Sequence, residues 1–270
     1  MKSMNEEMVV YVTGSNGFIG AEFVKKCPYT IKAISYRDEV LDVFESHENS
    51  CLVHFAWSTT TRTSYDEIER SFKNDVTNSK KLFDFYSKKN PNGKIIFLSS
   101  AGDLHLGYER IVDETFPPSP RTLYGDCKLQ VENIINTINC NTVTLRVSNV
   151  WGGKNLRGNR VNGLVDKLIR NLNTDEVIEL YADLNTKIDI IHIDDLVDLI
   201  NKVIEKNPIF PHQTYLVGGQ SLSIIKVIDI ISSNGSLLIK FNRKQNKTYL
   251  HIDNSRVRTA FDWNQKIKLV

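Results

Sequence analysis

A tyrosine and a lysine four residues apart, Tyr124 and Lys128, form a pair that could move protons. They stand at the start of a helical pattern over residues 125–138, and this spacing places both side chains on one helix face. A nearby ammonium stabilises a phenolate, so Lys128 is expected to lower the pKa of Tyr124 and make it a usable general acid or base. A solvated surface pair is the alternative interpretation.

A glycine-rich segment, TGSNGFIG at residues 13–20, follows an apolar run at 8–13 and opens a short helical pattern at 18–27. A strand, a glycine turn and a helix in this order are the context of a dinucleotide-binding fingerprint. Glycines allow the backbone to approach a pyrophosphate, which then faces the N–H groups of the helix N-terminus. The spacing is GxxGxxG rather than GxGxxG, and a glycine turn without a ligand is the alternative.

Two serines, Ser99 and Ser100, stand at the end of a predicted strand over residues 94–99. In an open parallel sheet the carboxyl ends of the strands face the ligand crevice. A serine at such a position can also form a turn or cap a helix. The serines are candidates for a functional site only in combination with the glycine segment and the Tyr–Lys pair.

Short apolar runs alternate with amphipathic stretches through the first half of the chain. This alternation predicts an α/β fold with a Rossmann-type doubly wound parallel sheet. We predict a dinucleotide-binding domain over residues 1–150, with 189–206 packing back onto it, and a smaller mixed α/β lobe from 151–188 and 207–270. The predicted strands are 8–13, 31–35, 51–56, 94–99, 142–147, 189–193 and 215–217, and the predicted helices are 18–27, 65–88, 125–138, 163–172, 194–206 and 222–231.

The 270 residues have an ordinary globular composition, 41% apolar and 24% charged. With 34 basic and 32 acidic residues the net charge is only +2, which argues against nucleic-acid binding. No signal-peptide core and no run near the roughly 20 apolar residues of a membrane span is seen, so a cytoplasmic protein is expected. The cysteines lack metal-ligand spacing, so free thiols and no metal site are expected. They are Cys27, Cys51, Cys127 and Cys140.

Taken together and in this order, the motifs resemble the extended short-chain dehydrogenases/reductases, in particular the branch that acts on nucleotide sugars. The resemblance covers nearly the whole chain. Its motifs are TGSNGFIG (13–20), VHFA (53–56), NDVTNSKKLF (74–83), LSSA (98–101), YGDCK (124–128), LRVSNVWG (145–152), IHIDDL (191–196), YLVGG (215–219) and DNSR (253–256).

The resemblance implies a role for each matching residue. Tyr124 would exchange a proton with a sugar oxygen, Ser100 would hydrogen-bond that oxygen, and Lys128 would hold the nicotinamide ribose. Hydride transfer is the chemistry of the nicotinamide. The implied cofactor-binding residues are Gly14, Asn16, Gly17, Phe18, Ile19, Gly20, Arg37, Ala56, Asn74, Ser99, Tyr124 and Lys128. The implied substrate-binding residues are Ser100, Asn149 and Lys187, whereas His192 is expected to be structural.

The choice of nicotinamide cofactor depends on the end of the second strand. An acid there holds the ribose hydroxyls of NAD, and an arginine accommodates the phosphate of NADP. Arg37 follows the strand and favours NADP(H), since a guanidinium binds phosphate well. Asp38 supports the opposite interpretation, NAD(H), and a solvated loop pair remains open.

The reaction type is inferred from the residues that follow Ser100 and from Arg37. Related dehydratases carry an Asp-Glu pair after the catalytic Ser or Thr, whereas Ala101-Gly102-Asp103 follows here, so dehydration is disfavoured. With Arg37, this favours an NADPH-dependent reductase of a nucleotide-linked 4-keto-6-deoxyhexose, in nucleotide-sugar biosynthesis for surface polysaccharide. The alternatives are an NAD-dependent nucleotide-sugar 4-epimerase and a non-catalytic NADP-binding regulator.

The expected partners are a nucleotide-diphosphate sugar and a second copy of the chain. Relatives often carry an arginine where Ile188 stands, so phosphate binding is expected to pass to Lys187 or to a basic loop with Lys154, Arg157 and Arg160. The resemblance suggests a homodimer, because many relatives pair through the helix that carries the Tyr and Lys. Its apolar residues here are Leu129, Val131, Ile134, Ile135 and Ile138, which could instead face the chain's own core.

Overall fold

Eleven strands are described by the computed structural model, which covers residues 8–35, 43–153, 163–206, 211–242 and 249–270. In chain order they are β1 (Val9–Thr13), β2 (Thr30–Ile34), β3 (Ser50–His54), β4 (Lys94–Ser100), β5 (Asn141–Val147), β6 (Asn149–Trp151), β7 (Val177–Leu180), β8 (Lys187–His192), β9 (Gln213–Val217), β10 (Gln220–Ser223) and β11 (Leu238–Phe241). Six of them form one sheet in the order β2-β1-β3-β4-β5-β9, with every neighbouring pair parallel. The chain winds outward from β1 in both directions, so a crevice forms at the carboxyl end of β1.

Helices cover both faces of this sheet. In chain order they are α1 (Phe18–Lys26), α2 (Ile68–Ser71), α3 (Asn78–Lys89), α4 (Ala101–Leu104), α5 (Leu123–Ile135), α6 (Gly163–Arg170), α7 (Ile193–Glu205), α8 (Ile224–Ser232) and α9 (Ser255–Phe261). Within the described ranges, none of the helices is long and apolar enough to cross a bilayer.

Successive side chains of each buried strand point to opposite faces of the sheet, so the strands contribute to two apolar layers. Val10 and Val12 of β1 pack in a cluster with residues of α1, α7 and α9. Val9 and Tyr11 of the same strand pack on the opposite face with residues of α3 and α5. A parallel sheet buried on both faces is the expected consequence of βαβ crossovers. The predicted α/β class and Rossmann-type doubly wound sheet are therefore confirmed.

Helix α7 is joined to the main sheet by a buried lysine. Lys94, at the start of β4, donates hydrogen bonds from Nζ to the carbonyl oxygens of Val203, Ile204 and Lys206 at 2.5, 3.0 and 2.6 Å. These carbonyls belong to the last turn of α7 and its end, where no intrahelical donor remains. The lysine therefore stabilises the C-terminus of α7 and fixes it to the N-terminal end of β4, an interior strand of the main sheet.

The smaller sheets come from the second half of the chain. One has the order β10-β8-β6, and β11 pairs with β7. A third apolar cluster, with residues of α6 and α8, packs beneath them. The division into two domains stays a prediction, and β9, which the sequence placed with the smaller lobe, pairs with β5 in the main sheet.

The stretch predicted as one helix over residues 65–88 is interrupted, so that prediction is wrong in detail. A 3₁₀ turn at Tyr65–Glu67 leads into α2, and a π-helical turn at Phe72–Thr77 leads into α3. The extra residue in a π turn rotates the following side chains, and such turns often lie at functional sites. Here the turn contains Asp75, which is buried at 1% exposure.

Three of the five apolar residues considered for a dimer face lie in the chain's own core. Val131, Ile135 and Ile138 belong to the cluster beneath the main sheet, and Ile134 packs partly against it. These side chains are therefore explained by folding of the single chain, and the homodimer stays a prediction.

Candidate active site

The glycine segment forms a turn in which backbone atoms are in close contact. Gly14 has φ of +68°, and a Cβ there would lie 2.6 Å from the backbone nitrogen of Ala56. Gly17 donates its N–H to the carbonyl oxygen of Gly14 at 2.8 Å. A Cβ on Gly20 would overlap that same carbonyl oxygen. Gly14 and Gly20 are therefore required by the packing of β1, α1 and the segment after β3, whereas a Cβ on Gly17 would make one tight contact, 3.1 Å from the Gly14 carbonyl oxygen.

The N-terminus of α1 is left open by this turn. Gly17 is the N-cap residue, no side chain caps the helix, and its first turn carries no acidic residue. Free N–H groups and the positive end of the helix dipole favour a bound anion there. The predicted residues Phe18 and Ile19 form the first helical positions and are half-buried, and Asn16 is exposed beside them. The donor set fits the pyrophosphate of a dinucleotide.

The second half of the proposed cofactor site lies along β3 and β4. Ala56 donates its N–H to Thr13 Oγ1 at 3.3 Å, which ties the end of β3 to the glycine turn. The Ser99 hydroxyl is buried and has no hydrogen-bond partner among the described residues. An unpaired buried hydroxyl at the crevice is consistent with a ligand contact. Asn74 is half-buried in the π turn before α3.

Ser100, Tyr124 and Lys128 are brought together at the carboxyl end of β4, as the sequence predicted. The Ser100 hydroxyl caps α4 by accepting the Asp103 N–H at 3.2 Å. It also lies close enough to the Tyr124 phenol to act on the pKa of that group in the lowering direction. Tyr124 lies in the first turn of α5, where Thr122 caps the helix by accepting the Gly125 N–H. Both capped turns fix the serine and the phenol relative to the sheet.

The pKa of Tyr124 is raised, whereas the sequence predicted that Lys128 would lower it. Burial raises the pKa of Tyr124 to about 12; the Ser100 hydroxyl acts in the lowering direction, and the charges of Asp103 and Asp75 act in the raising direction. Desolvation of the phenolate outweighs any stabilisation by the ammonium, so the prediction of a lowered pKa is wrong for this structure. Tyr124 is a neutral phenol throughout the physiological range.

Lys128 is buried under a layer of aromatic side chains. Its Nζ donates to the Leu98 carbonyl oxygen at 2.6 Å. The ammonium also lies 3.6 Å from the Trp57 ring centroid and 4.8 Å from that of Phe97. Burial lowers the pKa of Lys128 to about 7, although nearby carboxylates favour the charged form. A charged lysine at this depth is held by one carbonyl and the faces of the rings.

A buried chain of hydrogen bonds, which the sequence reasoning missed, connects β1, β3 and the π turn. His54 Nδ1 lies 2.7 Å from Thr13 Oγ1, and its Nε2 lies 3.0 Å from Ser79 Oγ. Ser79 in turn donates to the Asp75 carbonyl oxygen. Because Ser79 donates its proton there, it accepts from His54 Nε2–H, so Nδ1 is the ring's acceptor. Burial, with a contribution from the Lys128 charge, lowers the pKa of His54 to about 3, which keeps the ring neutral.

Asp103 has a structural role that the sequence did not predict. Its carboxylate accepts from the Thr122 hydroxyl at 3.1 Å and from the Arg121 N–H at 3.4 Å. A Cβ on Gly125 would overlap the carboxylate, so the glycine of YGDCK leaves room for it. Asp103 therefore holds the Ser100 turn against the N-terminus of α5.

Asn149 and Lys187, the two residues predicted to bind substrate besides Ser100, lie in the smaller sheets. Asn149 begins β6 and donates from Nδ2 to the Asp189 carbonyl oxygen at 2.9 Å, and it is exposed. Lys187 begins β8 and is exposed, with Nζ 5.0 Å from the Tyr249 ring centroid. His192 caps α7 by accepting the Asp194 N–H, which agrees with a structural role.

Five of the candidate residues lie outside the part of the chain that the structure describes. Arg37 and Asp38, on which the cofactor choice depends, lie outside the described residues, as do the basic-loop residues Lys154, Arg157 and Arg160. The four cysteines are free thiols, as expected. Across the described ranges, no group of three or more His, Cys, Asp or Glu is arranged to hold a metal ion.

Residues 10–218 match the sequence profile of the NAD dependent epimerase/dehydratase family. The chain belongs to this family. The match spans β1 to the turn after β9, and so includes the glycine turn and the Ser100, Tyr124 and Lys128 group. The resemblance inferred from the motifs is therefore confirmed at the level of the family, and with it a nicotinamide dinucleotide as the class of cofactor.

Two individual relatives share 25% and 31% sequence identity with parts of this chain. A stretch of 214 residues, 76% of this chain and 64% of the relative, is 25% identical to dTDP-4-dehydro-6-deoxyglucose reductase from Escherichia coli. A stretch of 121 residues, 43% of this chain and 33% of the relative, is 31% identical to dTDP-L-rhamnose 4-epimerase from Burkholderia thailandensis. The matches thus span less than two thirds of each relative's own length.

The fold matches solved structures over nearly its full length. The UDP-glucuronic acid 4-epimerase from Bacillus cereus, solved with UDP-glucuronic acid and NAD, superposes with a TM-score of 0.81 at 19% identity. The match covers 97% of this chain and 95% of that one. At this identity the likeness supports the fold alone.

Proposed function

We propose that this protein is an NADPH-dependent reductase of a nucleotide-linked 4-keto-6-deoxyhexose. The observation that carries the proposal is the Ser100, Tyr124 and Lys128 group at the carboxyl end of β4, in the same crevice as the open N-terminus of α1. The reductase relative, aligned over 76% of this chain, supports the choice of substrate class.

The protonation state of Tyr124 supports the reductive direction. When bound, the nicotinamide cofactor supplies the hydride. Reduction of a carbonyl also needs a proton at its oxygen, and a phenol whose pKa is raised to about 12 holds that proton at neutral pH. The Ser100 oxygen accepts the Asp103 N–H, which leaves its own proton free to orient toward the substrate oxygen or Tyr124.

Lys128 and the glycine turn would hold the cofactor. The open α1 N-terminus fits the pyrophosphate, and Lys128 Nζ is assigned to the nicotinamide ribose. Arg37 remains the reason for preferring NADP(H) over NAD(H), because a guanidinium favours the additional phosphate.

Asp103 argues against a dehydratase. In the proposed reaction its carboxylate has a structural part, since it accepts from Thr122 and Arg121 and is packed against Gly125. Neither Ala101 nor Gly102 can move a proton, so the segment after Ser100 has no acid–base pair for removal of water.

The direct test is NADPH oxidation by the purified protein with dTDP-, CDP-, GDP- and UDP-linked 4-keto-6-deoxyhexoses. We expect loss of NADPH absorbance with at least one of them, together with formation of the reduced sugar. Absence of turnover with all four nucleotides would remove the reductase proposal.

A 4-epimerase is the second candidate, favoured by the 31% identical stretch shared with dTDP-L-rhamnose 4-epimerase. An epimerase returns the hydride to the same sugar, so it interconverts two sugars without net consumption of cofactor. Tightly retained NAD after purification and epimer formation without added NADPH would favour it, whereas an exchangeable NADPH site favours the reductase.

A further inference from the structure

Trp57 is an aromatic residue of the crevice to which the sequence assigned no role. It follows β3 by three residues, and its indole covers Lys128 Nζ at 3.6 Å from the ring centroid. The same ring meets Tyr124 edge-on, with 6.3 Å between centroids and an angle of 84°. Trp57 is half-buried while Lys128 is 5% exposed. The indole is thus one of the layers between the ammonium and solvent.

The indole is anchored through a buried carboxylate. Trp57 Nε1 donates to Thr59 Oγ1 at 2.7 Å, and Thr59 Oγ1 donates to Asp75 Oδ2 at 2.7 Å. Asp75 also accepts the N–H groups of Ser58 and Thr59 at 2.8 and 2.9 Å. The loop after β3 is therefore fixed to the π turn, and the indole ring is held in one orientation over the lysine.

Trp57 is the nearest of three aromatic rings that face the ammonium, since the ring centroids of Phe97 and Tyr124 lie 4.8 and 5.6 Å from Nζ. In the part of the chain that the structure describes, Lys128 Nζ makes one hydrogen bond, to the Leu98 carbonyl oxygen. A lysine ammonium has three N–H donors. A cation over an aromatic face is attracted more strongly when it is desolvated, and tryptophan is the best such face.

We propose that Trp57 is a positioning residue for Lys128: its anchored indole holds the ammonium at the Leu98 carbonyl and keeps it charged. The proposal deepens the function proposed above, because the charge matters through the assigned contact of Lys128 with the nicotinamide ribose. It also accounts for the hydrogen bonds that link Trp57 through Thr59 to Asp75.

The charged and titratable groups around Lys128 set the direction of the expected change. Asp75 in the π turn and Glu132 and Cys127 on α5 favour the ammonium, whereas burial opposes it more strongly. His54 on β3 is kept neutral by burial and by the Lys128 charge. With a pKa of about 7, the lysine is close to its titration point. Replacing the indole by an aliphatic side chain removes attraction for the cation without opening the site fully to water.

The decisive measurement is the titration of Lys128 in the full chain without cofactor. Lysine labelled with ¹³C at the ε position is followed by NMR, and the signal absent from Lys128→Arg identifies Lys128. Trp57→Leu should lower the titration midpoint by about one pH unit, and Trp57→Phe should lower it by less. An unchanged or raised midpoint in Trp57→Leu would overturn the proposal.

Phe83→Leu is the matched control. Phe83 is a buried aromatic residue that packs against His54 and Phe97 in the same layer. Its removal weakens the core in a similar way, so a merely structural effect would shift both titrations alike, whereas the proposal requires a shift only for Trp57. If Trp57→Leu does not fold, Thr59→Val releases the indole from its anchor while keeping the ring, and a midpoint equal to that of wild type would count against the proposal.

Activity gives the second readout. With the ketosugar that the wild type reduces, the alkaline limb of the pH–rate profile should move to lower pH in Trp57→Leu, in parallel with the NMR midpoint. If the midpoint moves but no ketosugar is reduced, the positioning role stands and the proposed reaction fails. If reduction proceeds with an unmoved limb and midpoint, the positioning role fails and the reaction stands.

Discussion

The crevice around Tyr124 and the smaller sheets around Asn149 and Lys187 are built differently. In the crevice, two of the candidate catalytic side chains are each held by a backbone group: Ser100 by the Asp103 N–H and Lys128 by the Leu98 carbonyl oxygen, and Lys128 is buried. In the smaller sheets, both substrate candidates are exposed at the starts of strands, although Asn149 also donates to the Asp189 carbonyl oxygen. The rigid region can perform chemistry common to a family, whereas the exposed region can change specificity without disturbing the core.

The largest effect that separates the two regions is expected from Tyr124→Phe. The change removes the proton donor while the ring continues to fill its place beside Trp57 and Ser100. Turnover of the ketosugar should fall roughly 10²- to 10⁴-fold, with NADPH affinity nearly unchanged. Steady-state rates and fluorescence titration of NADPH measure the two quantities. Activity within a few-fold of wild type would identify another residue as the acid.

Gly20→Ala should break the crevice at its cofactor end. A Cβ at this position overlaps the Gly14 carbonyl oxygen, so the turn must open and the α1 N-terminus must move. NADPH affinity should fall at least about tenfold, equivalent to about 1.4 kcal/mol. The control is Gly102→Ala, because a Cβ there would lie 3.9 Å from Ser100 Oγ and meets no closer atom. Equal NADPH affinity in the two variants would contradict this account of the turn.

The buried hydrogen bonds of His54 should make the free energy of unfolding depend on pH. The pKa of His54 is lowered from 6.5 to about 3 on folding. Below pH 6.5 the unfolded chain therefore takes up a proton that the folded chain does not, and stability is lost as the pH falls toward 3. The loss from this one group should approach about 1.4 kcal/mol per pH unit within that range.

His54→Gln tests the sign and the source of this dependence. The free energy of unfolding in urea, measured at several pH values from 7.5 to about 5, should fall less steeply with decreasing pH in the variant than in the wild type. At pH 7.5 the variant should be less stable by about 1–3 kcal/mol, because Thr13 and Ser79 lose a buried partner. His251→Gln serves as the control, since His251 lies outside this chain of hydrogen bonds, and an equal change of slope there would refute the assignment.

The two regions also differ in how far the sequence predicted them. The glycine turn, Ser100, Tyr124 and Lys128 were found because local spacing encodes a turn, a strand end and a helix face. The parts played by Trp57, His54 and Asp75 were missed because they arise from contacts between β1, β3 and the π turn, which no local pattern encodes. The interruption of the predicted helix at 65–88 was missed for the same reason, since tertiary packing overrides helical propensity there.

Strand prediction shows the same limit at the periphery. β1 and β3 to β5 were found as short apolar runs because they are buried on both faces. β7 and β11 were missed because each has only four residues, with exposed side chains such as Val177 and Leu238. Their pairing is stabilised by the layer beneath them rather than by a pattern of their own.

The smallest effect is expected from Lys187→Ala, which sharpens the comparison from the side of the smaller sheets. Lys187 is exposed and contacts only the face of the Tyr249 ring among the described interactions of its ammonium. Its removal should change the free energy of unfolding by less than about 0.5 kcal/mol. If it binds the substrate diphosphate, the KM for the nucleotide sugar should rise a few-fold, to an extent that decreases with added salt, while kcat stays the same.

The matched control for that substitution is Lys240→Ala, which removes another exposed lysine of the smaller sheets, one that pairs with Glu179. A KM that rises equally in both variants would indicate a general loss of positive charge rather than a phosphate contact at Lys187. A KM unchanged in Lys187→Ala would move the diphosphate contact elsewhere, and Asn149→Ala would then be the next variant to measure. Either result locates the diphosphate contact more narrowly, because neither Lys187 nor Lys240 belongs to the proposed proton-transfer group of Ser100, Tyr124 and Lys128.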